Sequence, residues 1–174
     1  MKHAPFAESN DRDLADNKSF RIKTILAPID FSEHSMFAFR YATHLAEKIG
    51  GKVIVLNVVE NPLVYPSYGP GEQEKVAAKA QQRLYKACQS DAVNPDDVET
   101  LVRLAVEPVP EEIVLAARDV AADLIVVPAH HRTIFGHALF STTVDKVERH
   151  APCPVLVVPV PPHATEKLED FNHE

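Results

Sequence analysis

The sequence predicts an α/β domain with a doubly wound, five-stranded parallel sheet that carries helices on both faces. Short apolar runs alternate with longer segments of helical periodicity, in the order β-α-β-α-β-α-β-α-β, and such alternation is typical of a parallel sheet. Some of the apolar runs are almost continuous, as in strands that are buried on both faces. Right-handed crossovers between parallel strands limit the possible topologies, and among these we expect the strand order 3-2-1-4-5.

Helix and turn signals separate the apolar runs. Ser32 is the expected N-cap of the first helix, and the pair Gly50-Gly51 ends it. The third helix begins near Val109, with proline and acidic residues in its first turn. The other predicted helices span 72–90 and about 140–150, with a loop over 128–136. The predicted strands span 22–29, 53–59, 98–104, 123–127 and 155–160.

The chain length of 174 residues predicts one domain with two tails. Residues 21–161 carry the alternating pattern, whereas 1–20 and 162–174 are polar and unpatterned, so we expect mobile tails there. The N-terminus lacks the apolar stretch of a signal peptide, and no segment has the length of a membrane helix. We therefore expect a cytoplasmic protein, with Cys88 and Cys153 as free thiols.

Charge and motif content narrow the class of function. The formal net charge of -7 argues against general binding to nucleic acid or acidic membranes, because both need a basic surface. The sequence contains no nucleophile elbow, P-loop, HExxH motif or paired-cysteine zinc motif. We therefore assign no catalytic residue and expect a protein that is not an enzyme.

The predicted winding locates a candidate site. If strands one and four are neighbours, the direction of winding reverses between them, and ligands of such sheets bind at that reversal, beyond the carboxyl ends of the strands. The residues concerned are Pro28–Ser32 on one side and Val127–Thr143 on the other.

Two motifs carry a family resemblance. The segment 25–33, ILAPIDFSE, and the segment 150–158, HAPCPVLVV, resemble the opening and the end of universal stress proteins. Residues 55–59 resemble the second strand of that family, which usually has His where this chain has Asn57. The resemblance spans about 21–160 and implies the Rossmann-like fold of the adenine nucleotide alpha hydrolase type.

The phosphate-binding loop departs from the family pattern. Nucleotide-binding members have a loop of the form G-x2-G-x9-G-[ST] after the fourth strand. Here its positions fall on Pro128, His131, Ser141 and Thr142, so the spacing is kept and all three glycines are replaced. Glycine lets backbone N–H groups approach phosphate, whereas proline offers no N–H and His131 adds a ring. The resemblance therefore implies weak or absent ATP binding and no bound cofactor.

Other parts of the family's crevice persist. The resemblance places Asp30 beside the adenosine part of a ligand, and Val58 and Val127 beside its adenine. The candidate nucleotide-binding residues are Pro28, Ile29, Asp30, Val58, Val127, Pro128, Ala129, His131, Ser141, Thr142 and Thr143.

Several of the residues near the crevice have another interpretation that stays open. Asp30 would serve equally to turn the strand into the helix. Ser141, Thr142 and Thr143 would serve as a helix cap. The histidines at 130, 131 and 137 raise a metal hypothesis, because imidazole is a common zinc ligand. Adjacent side chains of an extended loop point apart, however, and no Cys or carboxylate nearby has ligand spacing, so we expect no metal.

The last strand predicts an oligomer. It is apolar on both faces and lies at the sheet edge in the expected order, and an exposed apolar edge needs a cover. In the family this strand pairs antiparallel with its copy in a two-fold dimer, which closes the edge. The expected interface residues are Val155, Leu156, Val157, Val158 and Val160, while Pro159 and Pro161 would limit the pairing.

The resemblance implies a stress-response homodimer that acts through an unknown protein partner and without catalysis. The alternative is a nucleotide sensor that binds ATP or AMP in the crevice despite the altered loop. A slow hydrolase is the least favoured hypothesis, because no residue set supplies a base, a metal site and a positioned phosphate together.

Overall fold

The computed structural model describes residues 21–60, 71–91, 95–129, 131–134, 137–140 and 142–160. For residues 91, 95, 131–134, 137–140 and 142 it describes the backbone alone. The strands are β1 (Thr24–Pro28), β2 (Lys52–Val59), β3 (Val98–Leu104), β4 (Leu124–Pro128), β5 (His131–Ile134), β6 (His137–Phe140) and β7 (Val155–Val158). The helices are α1 (Glu33–Ile49), α2 (Glu72–Asp91), α3 (Val109–Asp119) and α4 (Thr142–His150).

The predicted sheet is confirmed. Its order is β3-β2-β1-β4-β7, and the pairs β1–β2, β1–β4, β2–β3 and β4–β7 are all parallel. With β7 as the fifth sheet strand, this is the expected order 3-2-1-4-5.

Two apolar layers bury the sheet from opposite sides. On one face, α1 and α2 cover alternate residues of the central strands, with Phe39 of α1 and Leu84 of α2 fully buried. On the other face, α3 and α4 cover the intervening residues, with Ile113 and Val147 in the core. The near-continuous apolar strands of the sequence are thus strands with no solvent-facing side.

Local signals fix the ends of α1. The Ser32 hydroxyl accepts a hydrogen bond from the backbone N–H of Ser35 at the N-terminus, as predicted for an N-cap. Gly50 ends the helix with φ of 69°, in the left-handed region that glycine adopts without strain. Phe31, just before α1, also has positive φ, at 65°. The guanidinium of Arg83 on α2 lies over the Phe31 ring, 3.9 Å from its centroid, in cation–π geometry.

The segment after β4 differs from the expected loop. Strands β5 and β6 form an antiparallel hairpin, with His131 opposite Phe140 and Ile134 opposite His137. The hairpin is a separate two-stranded sheet. Its two strands are joined by residues 135–136, and two short runs around a Gly-containing pair are a hairpin signal. The helix that follows begins at Thr142, two residues later than expected.

The predicted tails, 1–20 and 162–174, lie outside the described residues, as does Ser141 of the candidate site. In the part of the chain that the structure describes, no helix is both long and apolar enough to cross a membrane.

Candidate functional site

A gap opens between the central strands β1 and β4 at their carboxyl ends. The two strands pair at Ile25–Leu124 and Leu26–Ile125. Each of the two strands stays paired with its other neighbour to its end. Strand β1 pairs with β2 up to Pro28–Leu56, and β4 pairs with β7 up to Pro128–Val158. The sheet is therefore intact on both sides of the gap, and the separation is confined to the seam between β1 and β4.

A proline ends each of the two strands at this seam, Pro28 in β1 and Pro128 in β4. Ile29 N–H donates to Leu56 on the β2 side at 2.8 Å, and Ala129 N–H donates to Val158 on the β7 side at 2.7 Å. Successive residues of a strand direct their N–H groups to opposite neighbours, so an N–H at position 28 or 128 would point into the gap. Proline has no N–H. The ladder between β1 and β4 therefore has no donor with which to continue, and a crevice forms.

The crevice holds a cavity of about 650 Å³, a volume within the range of small-molecule sites. Its walls come from the ends of the strands, the start of α3 and the first turns of α4, and one end carries a carboxylate. The residues that line it are Pro28, Ile29, Asp30, Ser35, Leu56, Val58, Glu60, Pro108, Val109, Pro110, Ile113, Val127, Pro128, Thr143, Val144 and Lys146.

Asp30 is held in place by two serines. Its Oδ1 accepts hydrogen bonds from the Ser32 backbone N–H at 2.9 Å, the Ser32 hydroxyl at 2.5 Å and the Ser35 hydroxyl at 2.7 Å. Among the described residues no hydrogen bond reaches Oδ2. Burial alone would raise the pKa of Asp30, but the serine hydrogen bonds outweigh it and lower the pKa below the ordinary value. The site therefore presents a fixed carboxylate with one oxygen left for a ligand hydroxyl or amine.

Asn57 supports the floor of the crevice. Its side-chain amide is buried and donates from Nδ2 to the Ile29 carbonyl at 2.8 Å. Ile29 immediately precedes Asp30, so this bond fixes the backbone from which the carboxylate projects. The sequence comparison identified Asn57 only as a departure from the family's usual His, and its contact with Ile29 follows from the register of β1 against β2.

A loop between β3 and α3 forms the opposite wall. Glu112 is buried and its Oε1 accepts from the backbone N–H groups of Val106 at 2.9 Å and Glu107 at 3.0 Å. Its Oε2 pairs with Arg103 Nε on β3 at 3.1 Å, and Arg103 also reaches Asp119 at 2.7 Å. Burial alone would raise the pKa of Glu112, but the backbone donors and Arg103 outweigh it and lower the pKa. This network holds the loop that ends in the lining residue Pro108.

The predicted site residues have different outcomes. Pro28, Ile29, Asp30, Val58, Val127, Pro128 and Thr143 line one cavity, and their role in binding a nucleotide stays a prediction. Ala129 is half-buried and is not among the lining residues. Ser141 and the side chains of His131 and Thr142 lie outside the described residues, so their assignment stays a prediction, and so does the bound ligand.

Several lining residues were not foreseen. The cluster of Pro108, Val109 and Pro110 was interpreted only as a helix start, although it also borders the cavity. Ser35 and Lys146 lie on helices. To assign them to the lining of the cavity, one must know which face of each helix turns toward the crevice. The i, i+3 spacing of Thr143 and Lys146 is the one signal in the sequence that would have placed Lys146 here.

Strand β7 is an edge of the sheet, as predicted. Its side chains already pack within the protomer: Leu156 and Val158 against the α1 layer, Val155 and Val157 against the α3–α4 layer. Val160, beyond the strand, is half-buried. Among the described residues no strand pairs with the outer backbone edge of β7, and the predicted dimer would use that edge.

The described residues contain no group of three or more His, Cys, Asp or Glu side chains that could hold a metal ion. The side chains of His130, His131 and His137, on which the metal hypothesis rested, lie outside that part of the chain. Neither Cys88 nor Cys153 forms a disulfide in the described part of the chain. Cys88 is buried, and burial together with the nearby Asp123 raises the pKa of Cys153.

Comparison with known proteins identifies a family with this architecture. A sequence model described as the universal stress protein family matches residues 21–159. A universal stress protein of Staphylococcus aureus strain USA300 is 29% identical over 142 residues, which cover 78% of this chain and 83% of the relative.

Solved structures agree on the fold. The chain is similar to the universal stress protein UspA of Lactobacillus plantarum, with a TM-score of 0.60 and 24% identity over 79% of this chain and 98% of that one. It is also similar to a universal stress protein of Archaeoglobus fulgidus in complex with dAMP, with a TM-score of 0.54 and 16% identity over 80% of this chain and 98% of that one.

Proposed function

This chain belongs to the universal stress protein family, and from that premise we propose a non-catalytic stress-response protein whose crevice binds adenosine or its monophosphate. ATP binds weakly or not at all. The observation that carries this proposal is the cavity of about 650 Å³ at the β1–β4 seam, with the Asp30 carboxylate fixed at one end.

The walls of the cavity suit the nucleoside part of such a ligand. Val58, Val127 and Ile113 offer an apolar surface for a flat base. Oδ2 of Asp30, for which the described residues show no hydrogen bond, is a suitable acceptor for a ribose hydroxyl, since an ionised carboxylate accepts strongly. A neighbour of the same fold holds dAMP, which supports an adenine monophosphate as the ligand to test first.

The phosphate side argues for one phosphate or none. Position 128 begins the family's glycine loop, and here it is a proline with no N–H to donate at the very seam where the crevice opens. Three phosphates need several backbone donors, and this first one is absent. We therefore expect the ligand's affinity to come from its nucleoside half.

Asp30 is also unsuited to general-base catalysis. A general base works best with a pKa near the operating pH, whereas the hydrogen bonds from Ser32 and Ser35 lower the pKa of Asp30. A carboxylate that is this weakly basic serves to bind a hydroxyl, not to take its proton. The proposal is therefore a binding protein, which acts in the cytoplasm as a homodimer through β7 and passes its state to a protein partner.

Titration calorimetry with adenosine, AMP and Mg²⁺–ATP tests this function. We expect adenosine and AMP to bind with dissociation constants of micromolar order and ATP to bind no more tightly than AMP. The Asp30→Asn variant should bind both ligands roughly tenfold more weakly, because a hydrogen bond to a charged acceptor is lost. Glu60→Gln is the matched control, since Glu60 also lines the cavity and is exposed.

Three results would contradict the proposal. Submicromolar affinity for Mg²⁺–ATP would show that the altered loop still holds a triphosphate. No binding of adenosine or AMP would leave the crevice without a nucleoside ligand. Phosphate release from ATP above the buffer rate would indicate an enzyme.

A further inference from the structure

Lys146 is shared by two cavities. It projects from α4 into the wall of the crevice, and it also lines a second, smaller pocket of about 280 Å³ between α3 and α4. Among the described residues it is the one cation that lines the crevice, where the other charged groups are Asp30 and Glu60. An anionic ligand group in the crevice therefore has one described cation to meet.

The partner of Lys146 is Glu111, and the pair is weak. Lys146 Nζ lies 3.5 Å from Glu111 Oε1, longer than a good charge-assisted hydrogen bond. About half of each side chain is exposed, at 51% and 44%, and exposed ion pairs of this kind stabilise a protein little. The other oxygen of Glu111, Oε2, is buried without a hydrogen-bond donor among the described residues. Lys146 is thus held loosely by a carboxylate that is itself incompletely satisfied.

Helix geometry lets Lys146 reach toward the first turn of α4. Thr143 and Lys146 are separated by three residues, so they share a face of α4, and both line the crevice. Helical side chains lean toward the N-terminus of their helix. A lysine in the second turn of α4 therefore reaches back along the wall toward its first turn.

We propose that Lys146 binds the phosphate group of the crevice ligand and leaves Glu111 when it does so. This inference rests on the proposed function and names the residue that distinguishes AMP from adenosine. Lys146 would take the place of the backbone N–H groups that bind phosphate in the family's glycine loop. A single side-chain cation suits one phosphate better than three. Because the crevice and the α3–α4 pocket share Lys146, ligand binding leaves the Glu111 carboxylate in the second pocket without its cation.

Two substitutions with opposite expected effects test the inference. Lys146→Met should weaken AMP binding roughly tenfold, through the loss of a hydrogen bond to a charged group, and leave adenosine binding unchanged. Glu111→Gln should strengthen AMP binding by roughly two- to fivefold, the scale of an exposed ion pair, because Lys146 no longer has a competing partner. Calorimetry measures the affinity of each variant for adenosine, AMP and inorganic phosphate. The titration with inorganic phosphate shows whether binding needs the nucleoside.

Matched controls separate this effect from net charge. Lys48→Met removes a lysine at the end of α1, and Glu148→Gln removes an exposed carboxylate of α4; neither should change the ratio of AMP to adenosine affinity. If Lys146→Met and Glu111→Gln both leave that ratio unchanged while wild type binds adenosine, the inference is wrong and the proposed function stands. If wild type binds neither adenosine nor AMP, the proposed function itself fails.

Discussion

Asn57 shows how one buried amide sets the geometry of the crevice. Its Nδ2 donates to the Ile29 carbonyl at 2.8 Å, and only 7% of the residue is exposed, so water has little access to either group. A buried carbonyl that loses its donor costs about 1–3 kcal/mol. The same bond fixes the residue that precedes Asp30, so its loss should affect both stability and binding.

We predict that Asn57→Ala lowers the free energy of unfolding by about 2 kcal/mol, as expected for a buried carbonyl left without its donor, and weakens adenosine binding. Urea unfolding, followed by circular dichroism, measures the first effect. Thr100→Val is the control, because the Gln81–Thr100 hydrogen bond of 2.6 Å is exposed and its loss should cost less. Equal losses in the two variants would show that burial of the Asn57 bond is unimportant.

Single-residue signals in the sequence located one half of the candidate site. Asp30, Val58 and Val127 were predicted from strand ends and from family resemblance, and they line the cavity. Lys146 was not predicted, although its i, i+3 spacing from Thr143 was an available signal, and Pro110 was not predicted because its part in the site depends on the docking of α3 against α4. No local pattern specifies that docking, since it results from the packing of side chains distant in sequence.

At the scale of elements, the β3–α3 loop depends on one buried carboxylate. Glu112 accepts two backbone N–H bonds from the loop and pairs with Arg103. The pKa of Glu112 in the folded protein lies below the ordinary value of 4.5. At a pH between the lowered pKa and 4.5, the folded state therefore binds fewer protons than the unfolded state. The stability from Glu112 is therefore fully present above pH 4.5 and is lost as the pH falls through the lowered pKa.

We predict that Glu112→Gln lowers the free energy of unfolding at pH 7 by about 2 kcal/mol, because the hydrogen-bonded ion pair with Arg103 is lost. The difference between wild type and variant should shrink as the pH falls below 4.5 and through the lowered pKa of Glu112, because the unfolded chain binds a proton at Glu112 first and the folded protein only at lower pH. Urea unfolding from pH 3 to pH 7 measures it. Glu99→Gln is the control, since the Lys52–Glu99 pair is exposed. A difference that stays constant with pH would contradict the assignment.

Elements with strong periodicity were predicted well, and the exception is informative. The five sheet strands, α1 and α3 follow from apolar runs and caps that lie within each element. The β5–β6 hairpin was missed because its strands are only four residues long, too short for alternation to stand out from a loop. Its two-residue connection at 135–136 was the available signal, and a Gly within that connection favours a hairpin.

At the scale of the whole molecule, the position of β7 at the edge of the described sheet supports the predicted homodimer. We expect a dimer in sedimentation velocity at micromolar concentration. Val160→Asp should shift the protein toward monomer without unfolding it, because Val160 lies beyond the strand and outside both core clusters, while a charge there opposes close pairing.

The matched control is Val106→Asp, which adds the same charge at a residue that is 84% exposed and distant in sequence from β7. It should leave the dimer intact. A wild-type monomer at these concentrations would contradict the dimer, and a Val160→Asp variant that remains dimeric would contradict the assigned interface.

The two prolines that end β1 and β4 at their seam also protect the chain from self-association. A gap inside a sheet presents two bare strand ends, and unpaired backbone is a template on which another chain can add a strand. Pro28 and Pro128 remove the N–H group that each strand would direct into the opening, so an incoming peptide finds carbonyl acceptors without the donors needed to continue a ladder. The two prolines that keep the crevice open therefore also make its strand ends a poor template for aggregation.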